Sequence, residues 1–202
     1  MSGVPEPPRQ LDRITLSTVE VSASKLYRVS RHASGEPYFG RAAANRFDDP
    51  SRAKTRRFGT CYFGLTLEVA IAETVLHDEM PVRGSFLVAA QELEGRHCVR
   101  FAGSQLTLVD LTGTTLKSLI GSGDISTTAP YDRPQRWSRA LHRHPQAVDG
   151  LVYMSRHVNS QRAVVVFDRA AAKLGSASYK PLPETAGALA AVMNLRITAK
   201  FR

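Results

Sequence analysis

Cysteine is almost missing from this chain: Cys61 and Cys98 are the only two in 202 residues. That is too few for a disulfide scaffold, and their separation forms no metal-ligand spacing, so they read as free thiols in a cytoplasmic protein. Long apolar runs are missing too. None approaches the ~20 residues that a spanning helix needs, and the mean hydropathy is −0.21; no membrane association is expected. The opening "MSGVPEPPRQLDR" has no apolar signal core, so export by the usual route is not expected. Its prolines read as a loose tail, and residues 1–22 are taken as a flexible segment ahead of one folded domain over 23–202. Generic catalytic motifs are also lacking: there is no G-x-x-x-x-G-K-[ST], no G-x-G-x-x-G and no H-E-x-x-H. "GSG" at 121–123 is too short for a phosphate loop, and His142-x-His144 has no carboxylate or cysteine nearby to complete a metal site.

Positive charge, by contrast, is plentiful. Lys and Arg number 27 against 18 Asp and Glu, a formal net charge of +9 with a pI near 10.0. Nine basic residues fall between Lys25 and Arg57 against Glu36, Asp48 and Asp49, and a second patch holds Arg133, Arg136, Arg139 and Arg143. Such a surface suits an anionic ligand, whether nucleic acid, phosphates or an acidic protein, or is simply solvated. No RNA-binding motif and no aromatic interleaving accompany it.

Strands are expected at 25–30, 59–64, 85–93, 97–101 and 105–111, with a strand pair at 150–156 and 162–168 joined by "HVNSQ". Helices are expected over 66–78, 114–120 and from an Asp132 cap through His142, with Trp137 and Leu141 as core contacts. Residues 189–201 read equally as helix or strand, and 31–58 as an ordered functional loop. The helix at 66–78 raises a question. Thr66 can cap it, and Leu67, Ala70, Ile71 and Val75 form an apolar face. The opposite side, where polar residues belong, carries Val69, Ala72 and Leu76 around Glu73. A carboxylate on a helix apolar almost all round is costly unless paired or hydrogen-bonded.

The pieces "LYRVS", "NRFDDP" followed by "FGTCYFG", "AIAETVLHD" and "DGLVYMSRHVNSQRAVVVFD" resemble the RES domain, in the family's order, from about Lys25 to Asp168. The resemblance implies an α+β domain with a split mixed β-sheet and flanking helices, like that of the ADP-ribosyltransferases. It implies a toxin of a bacterial toxin–antitoxin pair that degrades NAD+. The substrate is then NAD+, with inorganic phosphate or water left open as the acceptor, phosphate in the first case being a co-substrate, and no bound cofactor. The expected partner is a cognate antitoxin of Xre type with a helix-turn-helix DNA-binding part, and direct nucleic-acid binding by this chain is not expected.

Matched residue by residue, the family arginine falls on Arg28, the glutamate on Glu73 and the serine on Ser155, with Ser126 and Ser122 as competitors for that role. Arg46 is followed by Phe47 where the family commonly has tryptophan. Tyr62 matches the tyrosine ahead of the helix, and Tyr27 joins Arg46 and Tyr62 on the substrate-binding side. The chemistry suits these types. Guanidinium groups grip phosphate oxygens, Tyr62 can stack on the nicotinamide ring, and a preorganised Glu73 can stabilise positive charge developing on the ribose. An arginine is expected to pair with Glu73 in the empty site, and Ser155 to position the ribose or the acceptor. Two alternatives stay open: an ADP-ribosyltransferase acting on a protein, and a basic nucleic-acid-binding module or ribonuclease toxin.

Overall fold

The computed structural model describes residues 3–200. Ten strands form: Thr18–Ser22 (β1), Arg28–Ser30 (β2), Thr60–Gly64 (β3), Phe86–Ala89 (β4), His97–Phe101 (β5), Gln105–Leu111 (β6), Gly150–Met154 (β7), Arg162–Phe167 (β8), Ala177–Pro181 (β9) and Ile197–Lys200 (β10). The α-helices are Leu67–Val75 (α1), Ala90–Glu94 (α2), Gly113–Ile120 (α3), Asp132–His142 (α4), Ala171–Leu174 (α5) and Ala188–Asn194 (α6).

The main sheet has the order β1-β6-β7-β8-β3, with β6 and β7 parallel and the other pairs antiparallel. A smaller antiparallel sheet, β2-β5-β9, stands beside it, joined through a bridge between Tyr27 and Gly64, and β10 pairs with β4 in parallel. This is the α+β, split mixed-sheet architecture expected from the sequence. β7 and β8 read as continuous apolar runs because both faces are covered: Leu151, Val152, Val164, Val165 and Val166 are all fully buried. Gly150 is required there, since a Cβ would stand 2.1 Å from the Val165 carbonyl oxygen on β8.

β3 sends successive side chains to opposite faces, as a strand does. Cys61 and Phe63 turn into the core, while Thr60 and Tyr62 face the other way. Burial pushes the Cys61 thiol up to about 12, leaving it an inert core residue. At the end of β3, Gly64 lets α1 pack close, because a Cβ would meet Ala70 N at 2.5 Å. Thr66 caps α1 as its position predicts, its hydroxyl accepting from the Val69 N–H at 3.2 Å.

Four expectations need correction or completion. The segment over 1–22, read as loose, is built into the fold across its described residues: Val4, Leu11 and Leu16 are core residues and β1 pairs with β6. Proline content misled, because the apolar residues on either side of the prolines, Val4 before them and Leu11 and Leu16 after, pack into the core. The strand expected over 85–93 stops at Ala89, where α2 begins. The ambiguous stretch 189–201 is both things, helix α6 and then strand β10, with Phe201 outside the described residues. Asp132 begins α4 but makes no side-chain cap.

Candidate active site

A cleft of about 470 Å³ opens where α1, β2, β3 and the loops at 38–46 and 126–131 meet. That is the size of a small-molecule site. Five residues singled out in the sequence line it: Tyr27, Arg28, Arg46, Tyr62 and Glu73. They come from four separate stretches of chain.

Glu73 lies on the α1 face that also presents Ala70 and Thr74 to the cleft, with His77 lining it from just past the end of the helix. No arginine pairs with it among the described residues, contrary to expectation. Its partner is Ser155, whose hydroxyl donates to Glu73 Oε1 at 2.6 Å. Ser155 Oγ in turn accepts the N–H groups of His157 at 3.2 Å and Val158 at 3.1 Å. Ser155 is 1% exposed and its hydroxyl makes all three of these hydrogen bonds, so in this structure it is turned to Glu73 and does not line the cleft. A neutral hydrogen-bond donor holds the carboxylate in place without cancelling its charge.

Arg28, the other residue expected beside Glu73, is held elsewhere. Its Nε lies 2.7 Å from Glu36 Oε2, and its Nη1 donates to the Tyr62 carbonyl at 3.1 Å. Arg46 is committed on one side as well. Nη1 donates to the carbonyls of Thr128 at 2.5 Å and Ile125 at 3.4 Å, and the guanidinium sits 4.6 Å from the centroid of the Tyr131 ring. Burial lowers the Arg46 pKa, and the nearby Arg156 adds to that against the opposing pull of Tyr131. Arg46 therefore ties the 121–131 loop to the wall of the cleft.

The loop over 41–58 is ordered by its own acids. Asp48 accepts from Thr60 Oγ1 at 2.6 Å and Tyr62 OH at 3.0 Å, and also from the N–H groups of Ala44 and Asn45. Phe47 is fully buried against Tyr153, with ring centroids 4.8 Å apart, and its N–H donates to Tyr62 OH at 3.0 Å. The phenylalanine thus packs beneath the loop where the family commonly has tryptophan. Burial, with Asp48 next, pushes the Tyr62 phenol well above its ordinary range, so it stays neutral. Much of the basic charge in this segment is spent internally: Arg57 donates to the carbonyls of Ser51, Arg41, Ala42 and Arg52, and Arg41 pairs with Asp168.

Sequence reasoning missed several lining residues: Tyr38, Asn45, His77, Tyr131, Tyr153 and Arg156. Two carried a usable signal. His77 follows Glu73 by four residues within the stretch read as one helix, and Tyr153 precedes Ser155 by two within the stretch read as one strand, so each was expected to share a face with a chosen residue, although α1 ends at Val75 and β7 at Met154. Tyr131 and Arg156 lie in loops and carried none. Ser126, the competing serine, does line the cleft, buried at 4% exposure with no hydrogen-bond partner for its hydroxyl among the described residues. His157 stands behind Glu73, and burial lowers its pKa against the opposing pull of that carboxylate.

Comparison with known proteins gives the chain's relatives and its family. The chain is 34% identical over 101 residues to the probable toxin y4kH of Sinorhizobium fredii (strain NBRC 101917 / NGR234), a match covering 50% of this chain and 79% of that protein. Its fold is similar to a chain in the crystal structure of the M. tuberculosis MbcT–MbcA toxin–antitoxin complex. That superposition has a TM-score of 0.54 at 14% identity, over 89% of this chain and 91% of that one, and bears out the ADP-ribosyltransferase-like arrangement of the sheets. The RES domain model matches residues 25–185, from just before β2 to just after β9. That span takes in Arg28, Glu73, Ser155 and the cleft they frame, and the chain belongs to the RES domain family.

Proposed function

We propose that this protein is the toxin of a bacterial toxin–antitoxin pair and that it breaks the nicotinamide–ribose bond of NAD+. The observation that carries the reading is Glu73: a carboxylate held by one neutral hydroxyl at the wall of an open cleft, with Arg28 close by to meet phosphate. The C1–N bond breaks with its electron pair leaving on nicotinamide, which departs neutral. Positive charge builds on the ribose, and the oriented Glu73 carboxylate stabilises it. An oxygen of inorganic phosphate or water then bonds to C1, water releasing a proton, and gives ADP-ribose 1″-phosphate or ADP-ribose. Arg28 holds a pyrophosphate oxygen. Tyr27, Tyr62 and Arg46 shape the walls, with the Tyr62 ring beside the nicotinamide. No residue here serves as a nucleophile, since Ser155 is enclosed and already used.

The partner is an antitoxin of Xre type with a helix-turn-helix part, carrying a segment that closes the cleft. The net charge of +9 and the arginines at the cleft suit an acidic segment, and the similar fold above was solved as a toxin–antitoxin complex. Among the described residues no helix is long and apolar enough to cross a membrane, in keeping with action on cytoplasmic NAD+.

Incubating the purified protein with NAD+, with and without phosphate, and resolving the products by mass spectrometry tests the reading. Nicotinamide release is expected, with ADP-ribose 1″-phosphate replacing ADP-ribose as phosphate is added if phosphate is the acceptor. Intact NAD+ under both conditions overturns it.

A further inference from the structure

Arg28 stands where the cleft meets a second, shallower cavity of about 570 Å³; Val29, Tyr38 and Thr74 also line both. Its guanidinium is restrained from two sides, by Glu36 at Nε and by the Tyr62 carbonyl at Nη1. The Nε–H is not aimed squarely at an acceptor, so the Glu36 contact works as a charge pair. Nη2 has no partner among the described residues and is left as the open edge.

Glu36 is itself tightly set. Its side chain is 4% exposed, and Oε2 also accepts the Tyr38 N–H at 2.8 Å. Its backbone N–H donates to Tyr179 OH at 2.7 Å, and that hydroxyl donates back to the Glu36 carbonyl at 3.4 Å. In the small sheet Arg28 on β2 and Tyr179 on β9 are both register partners of Val99 on β5. They therefore lie on one row and one face, and Glu36 bridges them. A carboxylate this buried, with its loop anchored to the next strand but one, is built to hold a fixed position.

We infer that Glu36 is a positioning residue for Arg28, fixing the guanidinium so that its Nη2 edge faces the cleft and takes an oxygen of a phosphoryl-bearing ligand. This rests on the function proposed above. It deepens that reading by assigning the anion contact to a preorganised Arg28–Glu36 unit. Fixing the donor beforehand removes rotamer freedom that binding would otherwise have to remove.

The test is Glu36→Gln, which keeps shape and the Tyr38 hydrogen bond but removes the charge. KM for NAD+ is expected to rise roughly tenfold with kcat within about twofold, and ADP affinity by calorimetry to fall by the same factor. In an Arg28→Lys background the Gln change should add nothing, because the unit is already broken. A KM that falls shows Glu36 competing with the ligand for Arg28, and an unchanged KM shows no role; either overturns the inference. Restricted rotation of the Arg28 guanidinium, read from its Nη resonances, gives a readout without any ligand. Resolved Nη signals in the parent protein, averaged in a folded Glu36→Gln, support positioning by the charge pair even if neither NAD+ nor ADP engages the protein. Their retention in the variant overturns it.

Discussion

Glu73 and Ser155 act as one device, and the two can be separated. Glu73→Gln preserves the shape and the hydrogen bond from Ser155 but removes the charge. Turnover of NAD+ should fall roughly 10²-fold or more while substrate affinity changes little, the scale of losing a preorganised electrostatic contact. Ser155→Ala leaves Glu73 charged but unheld, and orphans the N–H groups of His157 and Val158. It should lower kcat and also cost about 1–3 kcal/mol of stability, the penalty for buried donors left without an acceptor. Ser126→Ala, which removes a hydroxyl that bonds nothing among the described residues, should leave stability almost unchanged. Kinetics and urea melts of the three variants together check this; near-normal turnover in folded Glu73→Gln makes Glu73 a structural residue only. In the sequence Glu73 was legible as an anomaly, a carboxylate on an apolar helix. Its partner was not. A hydroxyl 82 positions away leaves no local trace, and an arginine was the more obvious guess for a buried acid.

Elements carried their own information unevenly. β5, β6 and α4 appear with the bounds expected, because period-two alternation and amphipathic spacing survive any tertiary context. β4 and α2 were merged, since "FLVAA" within "SFLVAAQEL" is one short apolar run that crosses their junction, and periodicity cannot tell strand from helix over so few residues. α4 also holds a titration that its sequence only hinted at. His142 stacks on Phe58 at 4.0 Å, nearly parallel, with Phe167 edge-on at 5.0 Å. Burial, helped by Arg169, lowers its pKa to about 4. An unfolded chain would bind that proton near pH 6.5, so the unfolded state takes up more protons between pH 6.5 and about 4. Stability from this group is complete above pH 6.5 and is lost as pH falls through that window, on the order of 1–3 kcal/mol. His142→Phe keeps the aromatic stack without the titration. The drop in urea midpoint between pH 7 and pH 5 should be smaller in the variant than in the parent, and an equal drop rejects the assignment.

At the scale of the whole molecule, the N-terminal segment is the foundation of the cleft's far wall. Leu11 and Leu16 pack in the cluster that holds Trp137 and Leu141 of α4. His144, just past that helix, faces the Leu11 and Ile14 carbonyls through Nε2 at 3.1 Å each, and Gln146 Oε1 accepts the Leu16 N–H at 2.6 Å. Trp137 Nε1 donates to the Pro5 carbonyl at 2.8 Å, and Glu6 pairs with Arg133 and Arg136, which partly neutralises the second basic patch within the fold. α4 passes the support on, because Gln135 Nε2 donates to the carbonyls of Ala43 and Asn45 in the loop that carries Arg46 and Asp48. The segment lies ahead of the matched family region at 25–185, so the resemblance said nothing of it and composition alone suggested a tail. Leu11→Ala separates the two descriptions. A loose tail predicts no change, whereas a buried leucine among well-packed neighbours predicts a loss of about 2–5 kcal/mol. For a domain of this size that lowers the melting temperature by roughly 5–15 °C. Hydrogen exchange in the same variant should quicken at Ala44 and Asn45, whose N–H groups are bonded to Asp48, before it quickens in β7 and β8. That order follows from the route of support, since the loop depends on α4 and α4 on the segment, while the central strands are covered from both faces.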